Sequence, residues 1–315
     1  MARKHTLESK RRIRAWLLLI PCSLVLLGIS IYPVFSSIYM SFRNEHLLRK
    51  DSTFVGFANY VRLLHDKEFW GSVSFTFIYT FSVVAIAYVV GLALALALNR
   101  NIRGKRFFRA VFLLPWVIPP VIAVTNLKWI LHDQVGIINT TLEALGLIDK
   151  PILFLAKYGL IRPTVILASA WKQVPFMMIT LLAGLQSVPP ELYESAQIDG
   201  AGYWRQLFSV SLPIIRPLTF INTTLSFIWT MNSFEMIWLM TGGGPNGHTF
   251  TIPVLSYYTA FFRNDLSYAA TIATFMLLVL LVLTLLNFRA QFAPESSEKA
   301  RKNRRYGFAK ERTTT

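Results

Sequence analysis

Two charged side chains lie inside long apolar runs, and they are the strongest candidates for functional residues in this sequence. Lys172 and Glu235 each interrupt a run that carries almost no other charge. A charge inside a membrane span is costly unless it is paired or hydrated, so it marks a functional site by default. We expect Lys172 and Glu235 to pair with each other or to line a wet cavity. Snorkelling of Lys172 and an interfacial position for Glu235 are the structural alternatives.

The sequence does not predict a catalytic or metal centre. A single cysteine, Cys22, excludes an intrachain disulfide and a cysteine cluster. His248 has no second candidate ligand nearby, so no metal site is expected. The sequence lacks G-x-x-x-x-G-K-[ST], so we expect no ATP site and no cofactor in this chain. We interpret the glycines at 242–244 as a turn and not as a phosphate cradle.

Composition places the chain among polytopic membrane proteins. Of its 315 residues, 54% are hydrophobic and 15% are charged, whereas soluble domains are about 25% charged. The net charge of +16 could indicate nucleic-acid binding. Because the basic residues cluster at the ends of apolar runs, we expect contact with membrane lipid and no nucleic-acid partner.

Six apolar runs predict an all-α integral membrane fold with six transmembrane helices. The third run holds Pro115, Pro119 and Pro120, so its helix should kink or break where it faces protein or a cavity. A basic segment, 1–14, precedes the membrane domain, 15–288, and a basic tail, 289–315, follows it. The predicted spans are 15–42, 69–99, 110–127, one within 163–190, 213–240 and 266–288.

The distribution of Lys and Arg predicts the orientation of these spans. The two ends and the second and fourth loops together carry 21 Lys and Arg residues, and the other side carries fewer than half as many. The positive-inside rule therefore predicts that both termini are cytoplasmic. The same rule puts the polar stretch 189–213 in the cytoplasm.

The stretch 189–213 is a polar interruption between two strongly apolar runs and has the pattern of a helix–turn–helix. Pro190 suits a helix start, and Glu191 and Glu194 suit a first turn. Gly200 and Gly202 should turn the chain before a second helical fragment. The stretch is also the least basic of the predicted cytoplasmic segments, so we expect it to dock a protein rather than lipid.

Residues within this stretch resemble a family motif. Glu194-Ser195-Ala196, Asp199-Gly200-Ala201 and Leu212-Pro213 resemble the EAA loop of the membrane subunits of ABC importers, with Ser195 and Val210 as mild departures. Other segments look like the maltose-type carbohydrate permeases: Trp171-Lys172 with Pro175-Phe176, Asp133-x-x-Gly136-x-x-Asn139, and Gly242-Gly243-Gly244-Pro245.

The resemblance implies a permease subunit with the type I ABC importer fold, in a bacterial or archaeal cell membrane. Its partners would be a second homologous permease, an ABC ATPase dimer that holds ATP and Mg²⁺, and an extracytoplasmic solute-binding protein. The stretch 189–213 would form the coupling helix, and its ordinary alternative is a cytoplasmic linker. The positions implied for coupling are Glu191, Glu194, Ala196, Asp199, Gly200 and Ala201.

The resemblance also implies where a sugar would bind. Carbohydrate sites combine aromatic faces with amides and hydroxyls, a mixture that the third, fourth and fifth spans contain. For any single aromatic residue here, packing or lipid contact is an equal alternative. The positions that match the sugar-lined cavity of maltose-type permeases are Trp116, Pro120, Ser169, Lys172, Gln173, Phe176, Ser226, Trp229 and Thr230.

Other functions compete with sugar import. Within the family, the rival is import of a glycerol phosphate or an acidic sugar, with Lys172 as the counter-charge. Outside it, a stand-alone secondary transporter or channel would show paired repeats with broken helices in both halves. A membrane-bound enzyme ranks last, because no nucleophile, base or metal cluster converges near the spans.

Overall fold

The computed structural model describes residues 15–48, 52–100 and 102–311, with the backbone alone given for 290–311. In this part of the chain four helices are long and apolar enough to cross a membrane, Ala15–Ser41, Lys67–Asn99, Tyr158–Gln186 and Leu266–Arg289. The bent pair Lys105–Val117 and Pro120–Ile130 makes a fifth if counted as one span. The six-span prediction is compatible with this result, because the remaining predicted span also contains a helix of 20 residues, Leu212–Met231.

The described chain divides into two compact units. The first combines the described part of Met1–Phe69 with Leu255–Leu277. It contains α1 (Ala15–Ser41), the antiparallel pair β1 (Arg43–Asn44) and β2 (Thr53–Phe54), and α2 (Ala58–His65). The most apolar window of α1 has none of its residues buried, as suits a helix in lipid.

Ion pairs and a helix cap organise the polar end of this first unit. Arg62 Nη1 lies 2.7 Å from Asp265 Oδ2, and Arg263 Nη1 lies 2.7 Å from Glu68 Oε2. The carboxylate of Asp66 accepts the main-chain N–H groups of Glu68 and Phe69 at 2.9 and 3.3 Å. Asp66 thereby caps the following helix, α3, by accepting N–H groups that the first turn of a helix cannot pair internally.

The second unit contains most of α3 (Lys67–Asn99) and the helices that follow. These are α4 (Lys105–Val117), α5 (Pro120–Ile130), α6 (Ile137–Ala144), α7 (Tyr158–Gln186), α8 (Pro190–Ile198), α9 (Tyr203–Gln206), α10 (Leu212–Met231) and α11 (Glu235–Thr241). A π-helical turn, Leu207–Ser211, joins α9 to α10 without a break. The chain ends in α12 (Ile252–Phe261) and α13 (Leu266–Glu311), which both belong partly to each unit.

The core of the second unit lies where α3 and α7 pack together, with α10 alongside. A Cβ on Gly91 would stand 2.9 Å from Met177 Cβ, so the small residue permits this close approach. Substitution of Gly91 by any larger residue would force the two helices apart. Fully buried members of the core include Ala87, Ala95, Leu98, Met178, Leu181 and Leu182.

The break predicted in the third apolar run is confirmed. Helices α4 and α5 meet at an angle of 97°, and Ile118 between them is extended. Pro119 and Pro120 have no N–H, so the carbonyls of Pro115 and Trp116 lose the donors that a continuous helix would supply four residues later. The run therefore folds as two helices joined at a corner.

The span predicted over 213–240 is not one continuous helix. Helix α10 ends at Met231, and α11 begins only at Glu235. Asn232 Nδ2 donates to Ile228 O at 2.9 Å, and Ser233 N donates to Thr230 O at 3.0 Å. These local bonds compete with helix continuation, although the apolar composition continues on both sides of the break.

Candidate functional site

A cavity of about 460 Å³ in the second unit lies where the two helix breaks face α7. Eight of the nine residues predicted to contact substrate line it, and Glu235 lines it too. They come from α4, α5, α7 and α10, so residues far apart in sequence converge here. The eight are Trp116, Pro120, Ser169, Lys172, Gln173, Phe176, Trp229 and Thr230.

One wall of this cavity is aromatic. Phe176 lies between two tryptophans, with ring centroids 6.1 Å from Trp116 and 5.1 Å from Trp229. Trp116 is 53% exposed and Trp229 is 55% exposed, so both keep ring surface free. This wall offers apolar surface on which a ring-shaped ligand could lie.

A second wall carries hydrogen-bonding groups held by their neighbours. Tyr79 donates its hydroxyl hydrogen to Ser169 Oγ at 2.8 Å, and Thr230 Oγ1 donates to Gln173 Oε1 at 3.0 Å. The Gln173 oxygen is thereby occupied, and its amide nitrogen is buried without a partner among the described residues. This wall therefore combines hydroxyls with an unused amide donor.

Lys172 supports the corner between α4 and α5. Its Nζ donates to Ile118 O at 2.6 Å and to Pro115 O at 3.2 Å. The carbonyl of Pro115 is one of those that Pro119 leaves without a helical donor. The ammonium thus satisfies main-chain acceptors that a buried site would otherwise leave unpaired.

Glu235 lines the same cavity but is not bonded to Lys172. It is the first residue of α11, it is exposed, and its carboxylate accepts no hydrogen bond from the described residues. The ion pairs among those residues do not include Lys172 with Glu235. The two side chains line one cavity, and no ion pair joins them among the described residues, because the ammonium is held by main-chain carbonyls.

Ser226 is the one predicted contact residue that does not line the cavity. It lies one helical turn before Thr230 on α10, is fully buried, and its Oγ has no partner among the described residues. The cavity opens at the end of α10, next to the break, so a residue one turn earlier is enclosed by packing. The assignment of Ser226 to this surface is therefore wrong.

The predicted helix–turn–helix is confirmed in the stretch 189–213. Gly200 adopts φ +74°, and its N–H donates to Gln197 O at 3.0 Å while that of Ala201 donates to Ala196 O at 2.8 Å. This pair of bonds is the Schellman motif, which ends a helix at a glycine. The second fragment is not separate as expected, because α9 continues through the π-helical turn into α10.

The short helix α8 presents the side chains predicted for coupling. Glu191, Glu194 and Asp199 are exposed, and Ile198 is 87% exposed. The Tyr193 hydroxyl lies 2.9 Å from Ser211 Oγ, which ties α8 to the chain entering α10. The arrangement is a fixed, solvent-facing helix between two long apolar helices, as a docking element requires.

The glycine loop after α11 forms the predicted turn. Gly242 has φ +60° and closes α11, and Gly243 has φ +87°. A Cβ on Gly243 would stand 2.1 Å from the ring of Phe250. The next turn contains His248, whose carbonyl accepts a 2.8 Å bond from Arg162 Nε and whose ring meets Tyr158 at 5.0 Å.

The motif Asp133-x-x-Gly136-x-x-Asn139 has a local structural role. The buried Asn139 accepts the N–H of Ile152 at 2.9 Å and donates to the carbonyls of Ile152 and His132 at 3.1 and 3.2 Å. Sequence reasoning missed five cavity residues: Tyr79, Asn232, Ser233, Phe234 and Met236. The adjacent Asn and Ser inside an apolar run could have indicated the second break.

Comparison with known proteins gives consistent matches. A family model described as "Binding-protein-dependent transport system inner membrane component" matches residues 87–292. The "Trehalose/maltose transport system permease protein MalF" of Thermococcus litoralis is 32% identical over 87% of this chain and 94% of its own length. The "Sulfoquinovosyl glycerol transport system permease protein SmoG" of Agrobacterium fabrum is 32% identical over 88% of this chain and 90% of its own length.

A solved structure has the same fold. It is a bacterial alginate ABC transporter in complex with an alginate pentasaccharide-bound periplasmic protein. The matching chain superposes with a TM-score of 0.76 at 25% identity, covering 89% of this chain and 94% of that one.

Proposed function

Because the chain belongs to the family of binding-protein-dependent transport system inner membrane components, we propose that it is one permease subunit of an ATP-driven importer for a sugar or oligosaccharide. The observation that carries this proposal is the exposed helix α8, closed by the Schellman turn at Gly200 and set between the long helices α7 and α10. A stand-alone transporter has no need of such a docking element.

The proposal assigns ATP hydrolysis to separate subunits. Helix α8 sits in a cleft of an ABC ATPase dimer, which holds ATP and Mg²⁺, and Glu191, Glu194, Ala196, Asp199, Gly200 and Ala201 form or shape the contact. Closure of the ATPase dimer moves α8 and turns the permease outward. A second, homologous permease subunit completes the membrane pore.

The subunit lies in a bacterial or archaeal cell membrane with both termini in the cytoplasm. The excess of Lys and Arg on the side of the two ends and of α8 supports this orientation. The basic segment 1–14 and the tail 289–315 then flank the membrane domain 15–288. The extracytoplasmic partner is a solute-binding protein, as the complex of the related alginate transporter suggests.

A carbohydrate fits the cavity best. Its aromatic wall can stack on sugar rings, and the hydroxyl-bearing residues that line it can match sugar hydroxyls. The names of the relatives refer to trehalose, maltose, sulfoquinovosyl glycerol and alginate, and all of these contain sugars. We therefore assign substrate contact to the eight cavity residues named above.

Copurification tests the assembly. The tagged chain, expressed with its neighbouring genes and extracted in mild detergent, should carry an ABC ATPase and a second permease with it. Reconstituted in liposomes, the complex should take up sugar only with ATP inside and binding protein outside. Uptake by the chain alone, driven by an ion gradient, would show a secondary transporter instead.

A further inference from the structure

The two charges at the cavity differ in how far they are already neutralised. Lys172 uses two of its three N–H groups on the carbonyls of Pro115 and Ile118. These carbonyls lie at the C-terminal end of α4, where helix dipoles concentrate partial negative charge. The ammonium is therefore compensated by the protein itself.

The carboxylate of Glu235 is in a different state. It lines the cavity, it is exposed, and it accepts no hydrogen bond from the described residues. It is the only carboxylate among the residues that line this cavity. A ligand entering the cavity thus meets one carboxylate that no hydrogen bond occupies, with the ammonium of Lys172 acting on it only through space.

Recruiting Lys172 as a counter-charge for an anionic ligand would have a structural cost. To turn fully towards such a ligand, the ammonium would have to leave the carbonyls of Pro115 and Ile118. These acceptors have no helical donor, because Pro119 lacks an N–H and the chain is extended at Ile118. Buried carbonyls without partners destabilise a fold. The corner between α4 and α5 would lose its support if the ammonium left it to bind such a ligand.

From these observations, and on the premise of the carbohydrate importer proposed above, we infer that this cavity selects neutral or amino sugars and rejects acidic ones, with Glu235 as the specificity-determining residue. The carboxylate accepts hydrogen bonds from sugar hydroxyls and attracts a sugar ammonium. The faces of Trp116 and Trp229 favour the same cation. A uronate, sulfonate or phosphate is repelled by the same carboxylate.

Three probes with one ring and different charge test this inference: glucose, glucosamine and glucuronate. Each is titrated at neutral pH into the assembled importer in nanodiscs, without binding protein, and tryptophan fluorescence reports occupancy. A Trp229→Phe variant identifies the part of the signal that comes from the cavity. We expect glucuronate to bind at least about tenfold more weakly than glucosamine, a difference of about 1.4 kcal/mol.

The variant Glu235→Gln keeps the size of the side chain and removes its charge. It should shrink the ratio of glucosamine to glucuronate affinity by about tenfold, and Glu235→Asp should restore most of that ratio. Equal binding of glucosamine and glucuronate, or an affinity ratio that Glu235→Gln leaves unchanged, overturns the inference about Glu235 but not the proposed carbohydrate importer. Failure of all three sugars to bind overturns the carbohydrate substrate as well.

Discussion

The ammonium of Lys172 donates a 2.6 Å hydrogen bond to the main-chain carbonyl of Ile118, 54 positions earlier in the chain. The bond links α7 to the corner at which two prolines break the third apolar run. Lys172, which the sequence indicates as a functional residue, therefore also stabilises the corner between α4 and α5 beside the cavity.

Lys172→Met should destabilise the permease. It leaves the carbonyls of Pro115 and Ile118 without a donor, and hydrogen bonds to a charged group are worth about 1.5–3 kcal/mol. The thermal unfolding of the purified complex should shift down by several degrees, since about 1 kcal/mol corresponds to roughly 2–4 °C in domains of this size. Lys150→Met, at an exposed position, is the control, and equal midpoints for the two variants would contradict this role.

Gly200→Glu should uncouple ATP hydrolysis from transport. Gly200 has φ +74°, and a Cβ there meets no atom of this chain within 4 Å. The new side chain would therefore strain the Schellman turn and project from the surface that we assign to the ATPase. We expect normal expression and assembly with loss of sugar-stimulated ATP hydrolysis.

Gly202→Glu is the matched control for Gly200→Glu. Gly202 also has open space around it, but its φ of −67° suits any residue. Gly202→Glu should therefore retain most of the stimulated hydrolysis. Coupled transport at the normal rate in Gly200→Glu would remove the assignment of this stretch to coupling.

The two helix breaks show what the sequence could and could not predict. The first is visible in the sequence because Pro119 and Pro120 remove N–H donors, and Gly200 and Gly242 likewise mark turns that require positive φ. The second break depends on the Asn232 side chain, which donates a hydrogen bond to Ile228 O. The hydropathy of the surrounding run gives no sign of this break, because apolar residues continue on both sides of it.

The cavity was predictable as a set of residues but not in its bonding. Resemblance located eight of its residues, yet the partner of Lys172 depends on how the corner between α4 and α5 folds. Ser226 was misplaced because the register of α10 relative to the cavity follows from where that helix ends. Both the partner of Lys172 and the register of α10 depend on tertiary structure, and the spacing of residues along the chain does not determine them.

Trp229→Ala and Gln173→Ala should each reduce sugar uptake without loss of assembly. Trp229→Ala removes a half-exposed aromatic face from the cavity, and an aromatic contact is worth roughly 0.5–1.5 kcal/mol beyond its area. The half-saturation concentration should rise roughly three- to tenfold. Trp16→Ala, on the exposed surface of α1, is the control, and unchanged uptake in both cavity variants would assign substrate contact to the partner permease.

Mild acid should loosen the loop that contains His248. Burial lowers the pKa of this imidazole, and the nearby charge of Arg162 lowers it further. A depressed pKa means that the folded state disfavours the protonated ring, so stability is full above the ordinary histidine pKa of about 6.5 and falls as the pH drops below it. The protection factors of residues 242–250, which correct hydrogen exchange for its intrinsic dependence on pH, should fall between about pH 7 and pH 5. His248→Gln should lose the part of this pH dependence that is due to the ring. An equal pH dependence in the variant would contradict this assignment.

Gly243→Ala should disrupt the glycine loop more than Gly242→Ala. Both residues have positive φ, so both substitutions carry the cost of a left-handed conformation, about 1–2 kcal/mol. They differ in space, because a Cβ on Gly242 meets nothing within 4 Å whereas one on Gly243 would stand 2.1 Å from Phe250 Cε1. The ring of Phe250 is buried and cannot yield without displacing its neighbours. Thermal unfolding of the two variants measures the difference between their midpoints. Because both variants carry the same backbone cost, this difference reports the packing against Phe250. Equal midpoints would show that the loop relaxes around the added methyl group.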